Sequence, residues 1–125
     1  MSPTVLVVDD DQGLQETLEA MLTLEGYRVV VASDGQEALD KLGDGQSDGG
    51  LPHVILLDVV MPRMDGYAFA EELERRGLRS RLPIVLLTAD ARAEEKAARV
   101  GAEAFVEKPF EIDELLEKVA LLVGD

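Results

Sequence analysis

The sequence contains no cysteine and only one histidine, which excludes disulfide bonds and thiolate metal centres. Zinc is disfavoured for the same reason, because proteins hold it mainly with cysteine and histidine. Basic residues are scarce as well: 12 Lys and Arg face 26 Asp and Glu, giving a net charge of −14. This balance disfavours direct binding to nucleic acids or anionic membranes, since both depend on Lys and Arg meeting phosphates. A cation or a protein partner remains as the expected ligand.

Long apolar runs and an N-terminal targeting pattern are also missing. No apolar run approaches the ~18 residues that a membrane-spanning helix needs. The N-terminus enters a strand-like run at once, without the basic region and separate apolar core of a signal peptide. We therefore expect a cytoplasmic protein without a membrane partner. The length of 125 residues is typical of one domain, so we expect a single domain over residues 1–125.

Short apolar runs and amphipathic stretches alternate five times along the chain. The predicted strands are Val5–Val8, Arg28–Ala32, His53–Leu57, Pro83–Leu87 and Ala104–Val106. Five helices are predicted: the first carries the apolar stripe Leu14, Leu18, Met21 and Leu22, and the second begins with the capping-box pair Asp34 and Glu37. The third and fourth are Tyr67–Arg76 and Ala91–Val100. The last carries an apolar stripe from Ile112 to Val123. Strands that alternate with helices predict an α/β fold, a doubly wound parallel sheet with helices on both faces.

Two further stretches are distinctive in composition. The inner face of the fourth helix is mostly alanine, with Ala93, Ala97 and Ala98 beside Val100, so it is expected to be among the least stable elements. A glycine-rich stretch over residues 43–50 is expected to form a long, mobile loop at the end of the sheet away from the strand-end site.

Polar residues follow four of the five predicted strands. The first strand ends in Asp9–Asp11, the third in Asp58, the fourth in Thr88, and the fifth near Lys108. Ligands of open α/β sheets bind beyond the carboxyl ends of the strands, so these residues form the candidate site. Each also has an ordinary structural interpretation: an aspartate often caps a helix, a strand-end threonine usually packs, and a lysine is usually solvated.

Taken together, these groups fit a particular chemistry. Clustered carboxylates repel each other unless a cation or a proton joins them. Oxygen ligands suit Mg²⁺ or Ca²⁺, and a small site with room for water suits Mg²⁺ better. A carboxylate nucleophile, a metal that neutralises charge, and a hydroxyl and an ammonium group that hold the remaining phosphoryl oxygens are what formation of an aspartyl phosphate requires.

The same residues carry a resemblance to a known family. The matching segments are Val5-Leu-Val-Val-Asp-Asp-Asp11, Ile55-Leu-Leu-Asp-Val-Val-Met-Pro-Arg-Met-Asp-Gly66, Leu86-Leu-Thr-Ala89 and Lys108-Pro-Phe110. Over essentially its whole length, the chain resembles the receiver domain of two-component response regulators. The resemblance implies five helices around a five-stranded sheet of flavodoxin-like order 2-1-3-4-5.

The resemblance also implies what the protein does. Asp58 would accept a phosphoryl group from a sensor histidine kinase or a phosphotransfer protein, and Thr88 and Lys108 would contact that group. The chain would then be a signalling switch rather than an enzyme, apart from its own Mg²⁺-dependent phosphorylation and dephosphorylation. Direct binding to nucleic acid is not expected of this chain, and the downstream partner would be a protein.

Roles for the metal site and the switch follow from the resemblance in the same way. Asp10, Asp58 and the backbone carbonyl of Val60 would bind Mg²⁺ directly, and Asp9 would act partly through water. Thr88 and Phe105 would form the switch. Here a phenylalanine stands where the family often has tyrosine, so an inward ring lacks a hydroxyl to donate. The output surface would be formed by the fourth helix, the fifth strand and the last helix, and the bond Lys108–Pro109 would be cis.

Three other interpretations compete with this one. A nucleotide or flavin module would place a glycine-rich loop after the first strand, where this chain has three aspartates. A metal-dependent phosphatase would need a substrate pocket and usually additional cap elements. A degenerate receiver would work as an interaction module without phosphorylation. Both a stand-alone receiver and one domain of a longer regulator fit the sequence.

Overall fold

The computed structural model describes residues 2–43, 51–89 and 92–124. The strands are β1 (Thr4–Val8), β2 (Arg28–Ala32), β3 (Val54–Asp58), β4 (Ile84–Thr88) and β5 (Ala104–Glu107). The helices are α1 (Gln12–Leu24), α2 (Gly35–Leu42), α3 (Gly66–Arg75), α4 (Ala93–Val100) and α5 (Ile112–Val123). These elements confirm the predicted alternation, and each strand end lies within one residue of its predicted position. Ala91, the predicted start of α4, and residues 44–50 of the glycine-rich stretch lie outside the described residues.

The five strands form one parallel sheet in the order β2-β1-β3-β4-β5, as expected. In this order β1 and β3 are neighbours, and β4 and β5 continue the sheet on the far side of β3. Asp58 is aligned with Leu87 of β4, and Thr88 is aligned with Glu107 of β5. The carboxyl ends of β1, β3, β4 and β5 therefore meet along one edge of the sheet.

The sheet is buried on both faces, which explains why the central strands are continuously apolar. All five residues of β3 and all five of β4 are buried. On one face, α2, α3 and α4 cover the sheet, with Phe69 and Leu73 of α3 fully buried in that cluster. On the other face, α1 and α5 pack through Leu18 and Leu115 among others. These two layers fix the positions of the strand ends on which the site depends.

Two local predictions are wrong, and one short element was not predicted. Met21 was predicted on the inner stripe of α1 but is 37% exposed, because Leu18 and Leu22 already fill the contact with the sheet. Ala98 was predicted on the inner face of α4 but is exposed, since the buried positions are Ala93, Ala97 and Val100. A short 3₁₀ helix at Arg79–Arg81, before β4, was not predicted.

No helix in the described ranges is long and apolar enough to cross a lipid bilayer.

Candidate functional site

The three aspartates at the end of β1 differ in their surroundings: one caps α1, and two lie at the candidate site. Asp11 caps α1, and its side chain accepts a hydrogen bond from the backbone N–H of Leu14. Asp9 is completely buried, and its Oδ1 accepts a hydrogen bond from the backbone N–H of Asp11 at 2.9 Å. Asp10 is exposed at the cleft that the strand ends form. The capping interpretation therefore holds for Asp11, while its two neighbours carry the candidate chemistry.

Asp58 is held at the end of β3 by a tightly closed turn into α3. The backbone N–H of Gly66 donates to the carbonyl of Val59 at 2.9 Å. A Cβ atom added at Gly66 would lie only 2.7 Å from the carbonyl oxygen of Asp58 and 2.9 Å from the Cα of Val59. Only glycine allows this approach, so the Asp-Gly pair at the start of α3 is explained by packing against the backbone of Asp58.

Lys108 joins the carboxylates across the sheet edge. Its backbone N–H donates to the carbonyl of Thr88 at 2.7 Å, which fixes the end of β5 beside the end of β4. Its Nζ lies 2.9 Å from Oδ2 of Asp9 and 3.6 Å from Oδ2 of Asp58. The peptide bond Lys108–Pro109 is cis, as the family resemblance implied.

Electrostatics at the site favour the addition of positive charge. Burial is the main cause that raises the pKa of Asp58 from its ordinary value of 3.8 to about 6. The charge of Asp9 raises this pKa further, whereas Lys108 opposes the rise. Burial alone would lower the pKa of Lys108, but its hydrogen bond to Asp9 and its attraction to both carboxylates outweigh burial and raise that pKa. The carboxylates thus remain short of positive charge even with Lys108 in place.

The residues present fit a hard divalent cation. Asp9, Asp10 and Asp58 each offer a carboxylate oxygen within 4.8 Å of the others. Both oxygens of Asp9 already accept hydrogen bonds, one from the backbone of Asp11 and one from Lys108. Asp10 and Asp58 are therefore the better candidates for direct coordination, and Asp9 is better placed to act through water.

A cleft of about 490 Å³ contains these groups. Thr88 and Val60 line it together with the carboxylates, and Val60 is 73% exposed. The backbone N–H of Val60 faces Oδ1 of Asp58 at 3.4 Å. The structure thus brings together every residue predicted at the strand ends, and the role of the Val60 carbonyl as a metal ligand stays a prediction.

Phe105 lies outside this cleft. It is half-buried on β5, aligned with Leu86, and packs against the α2–α3–α4 side of the core. Its ring lines a surface groove between α4 and α5 together with Ala97 and Ala102. The partly exposed ring fits the predicted starting position of a switch, and its movement stays a prediction.

Sequence reasoning missed the interaction that fastens the loop after Asp58. Arg63, whose φ of 64° is unusual for a residue other than glycine, forms a salt bridge with the buried Asp34 at the start of α2. The backbone N–H of Gly35 donates to the carbonyl of Met64 in the same loop at 3.1 Å. Asp34 was predicted only as a helix cap, a role it also fulfils by accepting from the N–H of Glu37. Nothing in the local pattern showed that Arg63 would reach it.

His53 lies at the opposite end of the sheet, as its place before β3 predicts. Its Nδ1 accepts a hydrogen bond from the backbone N–H of Thr4, and its backbone N–H donates to the carbonyl of Thr4. It therefore takes no part in the cleft.

An open parallel sheet with carboxylates, a hydroxyl and an ammonium group at its strand ends defines a doubly wound α/β protein with an acidic strand-end site. The family model for the response regulator receiver domain matches residues 5–120. The response regulator MprA of Mycobacterium tuberculosis is 40% identical over 98% of the chain. The chain belongs to the receiver domain family of response regulators, the class that serves two-component systems.

Similar solved structures support the same assignment. A putative response regulator from Chloroflexus aurantiacus matches with a TM-score of 0.87 and 33% identity, covering 100% of both chains. The response regulator TrrA of Thermotoga maritima, solved in complex with Mg²⁺-BeF, matches with a TM-score of 0.80 and 34% identity over 96% of this chain and 98% of that one. The chain spans about half the length of the curated relatives it matches, 51% in the case of MprA.

Proposed function

We propose that the protein is a phosphorylation switch that accepts a phosphoryl group on Asp58 in a Mg²⁺-dependent reaction. The observation that carries the proposal is the position of the Asp58 carboxylate, which shares one cleft with three further aspartates of the described chain, Thr88 and Lys108. The phosphoryl donor would be a sensor histidine kinase or a phosphotransfer protein, as suits a receiver domain.

The proposed reaction uses Asp58 as the nucleophile. A carboxylate oxygen of Asp58 forms a new bond to phosphorus, while the bond from phosphorus to the donor breaks and its electron pair leaves with the donor. Lys108, with Nζ 3.6 Å from Asp58, would hold one phosphoryl oxygen, and the hydroxyl of Thr88 would donate to another. When bound, Mg²⁺ would supply the positive charge that the carboxylates and the phosphoryl oxygens require.

Candidate ligands for that ion are Asp10, Asp58 and the carbonyl of Val60, with Asp9 acting through water. The charge cluster supports this assignment, because burial and the nearby charge of Asp9 raise the pKa of Asp58, and a bound cation would favour the ionised carboxylate against both. The TrrA structure contains Mg²⁺-BeF, and the similarity of the two chains supports the same type of site here.

Output would pass through Thr88 and Phe105 to a protein partner. Once phosphorylated, Asp58 would attract the Thr88 hydroxyl and open space behind it. The half-buried ring of Phe105 could fill that space, and the surface of α4, β5 and α5 would change shape. Full burial of an aromatic ring is worth roughly 1.5–3 kcal/mol, enough to bias a two-state switch.

Intact-mass measurement after incubation with acetyl phosphate and Mg²⁺ tests the proposal. We expect one added phosphoryl group in the wild-type protein and none in Asp58→Asn. Asp113→Asn, a change of the same kind at an exposed position on α5, is the matched control and should be phosphorylated normally. Equal modification of Asp58→Asn would refute the assignment, and no modification of the wild-type protein would favour a receiver-like interaction module that works without phosphorylation.

A further inference from the structure

We propose that Lys96 binds the incoming phosphoryl donor and is a second cation of the site beside Lys108. This inference rests on the proposed phosphorylation of Asp58. Lys96 lies on α4, half-buried, and lines the same cleft as Asp58 and Thr88. The candidate site derived from the strand ends did not include it, because it comes from a helix.

The packing of α4 explains why Lys96 reaches the cleft. The buried residues of α4 are Ala93, Ala97 and Val100, and Lys96, which is half-buried, lies on the flank of this face. Arg99, one turn later, stacks on the ring of Tyr67 in α3, with its guanidinium carbon 3.7 Å from the ring centroid. Since α4 follows β4, its first turns lie nearest the strand ends, and this flank carries Lys96 to the rim of the cleft.

The positive charge of Lys96 would attract an anionic phosphoryl donor to the cleft. Among the residues that the structure describes, four aspartates and two lysines line the cleft, and a single divalent cation would balance the formal charge of these six side chains. Lys108, whose Nζ lies 2.9 Å from Asp9 and 3.6 Å from Asp58, offsets one of the negative charges. Without Lys96, an anionic donor would approach a site of net negative charge on a protein whose overall charge is −14. A cation at the rim lowers this barrier to approach.

Lys96 would act on donor binding rather than on bond breaking. With acetyl phosphate, the Asp58 oxygen bonds to phosphorus, the bond from phosphorus to the acetyl oxygen breaks, and acetate leaves with the electron pair. No proton is needed from Lys96 in this step. Its removal should therefore lower the apparent second-order rate constant of phosphorylation and leave Mg²⁺ binding intact.

A charge series at this position provides the test. Phosphorylation by acetyl phosphate is measured for wild type, Lys96→Arg, Lys96→Gln and Lys96→Glu at saturating Mg²⁺ and low salt. We expect Lys96→Arg to match wild type, Lys96→Gln to be slower by about threefold and Lys96→Glu by about tenfold, with the differences shrinking at ~0.5 M salt as screening increases. Mg²⁺ affinity, measured by calorimetry, should be equal or higher in Lys96→Gln.

Lys118→Gln is the matched control, since it removes the same charge from a half-buried lysine on α5 that does not line the cleft. It should be phosphorylated at the wild-type rate. The role of Lys96 would be refuted if the phosphorylation rate did not depend on the charge at position 96, or if Lys118→Gln lowered the rate as much as Lys96→Gln. Either result would leave the phosphorylation of Asp58 unaffected. A wild-type protein that takes up no phosphoryl group at all would remove the proposed function, and the role of Lys96 with it.

Discussion

At the residue scale, the position of Asp58, the proposed phosphoacceptor, is unfavourable for the stability of the fold. The residue is 8% exposed, and its charge lies close to that of Asp9. Both conditions disfavour its ionised form, and Lys108 compensates for them only in part, so its pKa rises to about 6. The buried negative charge of Asp58 therefore destabilises the fold in the absence of a bound cation.

Replacing Asp58 with asparagine should stabilise the protein when metal is absent. Folding raises the pKa of Asp58 from 3.8 to about 6, so the folded state binds the proton more tightly than the unfolded chain does. The resulting contribution to the free energy of unfolding is fully present below pH 3.8 and is lost as the pH rises through about 6. Asparagine does not ionise, so in a chelating buffer Asp58→Asn should exceed wild type in the free energy of unfolding by on the order of 2 kcal/mol at pH 7.5 and by much less at pH 4.5. Urea unfolding at the two pH values measures the difference. A wild-type protein that is the more stable one at pH 7.5 would contradict the prediction.

Gly66 is a second residue whose identity is set by a single close contact. Alanine at this position would place its Cβ 2.7 Å from the backbone oxygen of Asp58, so the backbone that carries the proposed phosphoacceptor would have to shift. We expect Gly66→Ala to destabilise the protein by about 1–3 kcal/mol, as overpacking does, and to slow phosphorylation. Gly13→Ala in α1, where the nearest atom would be 3.4 Å away, should be neutral or slightly stabilising in thermal unfolding. Equal effects of the two substitutions would show that the contact does not matter.

At the scale of secondary-structure elements, the apolar runs predicted the strands and the helical periodicity predicted the helices. The runs Val5–Val8 and Val54–Leu57 are apolar throughout because both faces of the sheet are covered, and their lengths left little doubt about the strands. Met21 could not be placed correctly from periodicity, since a helical stripe does not show how wide the contact with the sheet is. The 3₁₀ helix Arg79–Arg81 has no periodic pattern of its own.

The candidate site was predictable to the extent that strand ends define it. Asp58 and Thr88 directly follow apolar runs and Lys108 lies at the end of the fifth strand, so topology alone brings them together. Lys96 and the pair formed by Arg63 and Asp34 could not be predicted, because they depend on how a helix flank and a loop pack in three dimensions. Distances along the sequence carry no information about such contacts.

The helix α4 is the element whose behaviour should change most on phosphorylation. Its buried residues are Ala93, Ala97 and Val100, which contribute little apolar area, so it is expected to open more readily than α1. Hydrogen exchange should show altered protection in α4 and β5 on phosphorylation and nearly constant protection in α1 and α2. Thr88→Ala should abolish the change while Asp58 still accepts the phosphoryl group, as intact mass would confirm. A full exchange response in phosphorylated Thr88→Ala would refute the proposed coupling.

At the scale of the whole molecule, the excess of 26 acidic over 12 basic residues makes the fold responsive to cations in two ways. Any salt screens the general repulsion between surface charges, and this effect does not depend on which cation is added. A specific ion bound by Asp10 and Asp58 would additionally stabilise the folded state, because the unfolded chain does not hold these side chains together. The two contributions can be separated by experiment.

Mg²⁺ should therefore raise the melting temperature more than NaCl of equal ionic strength. At a Mg²⁺ concentration ten times its dissociation constant, binding adds about 1.4 kcal/mol to the free energy of unfolding, or roughly 3–6 °C in Tm for a domain of this size. Asp10→Ala should lose most of this specific increment, whereas Asp9→Ala should lose less of it, because both oxygens of Asp9 are engaged by the N–H of Asp11 and by Lys108. Differential scanning fluorimetry across a Mg²⁺ series, with NaCl as the reference, gives the three increments. If wild type responds equally to the two salts, the acidic cluster does not select a divalent cation, and if Asp9→Ala loses more than Asp10→Ala, the order of the ligands is the reverse of the one proposed.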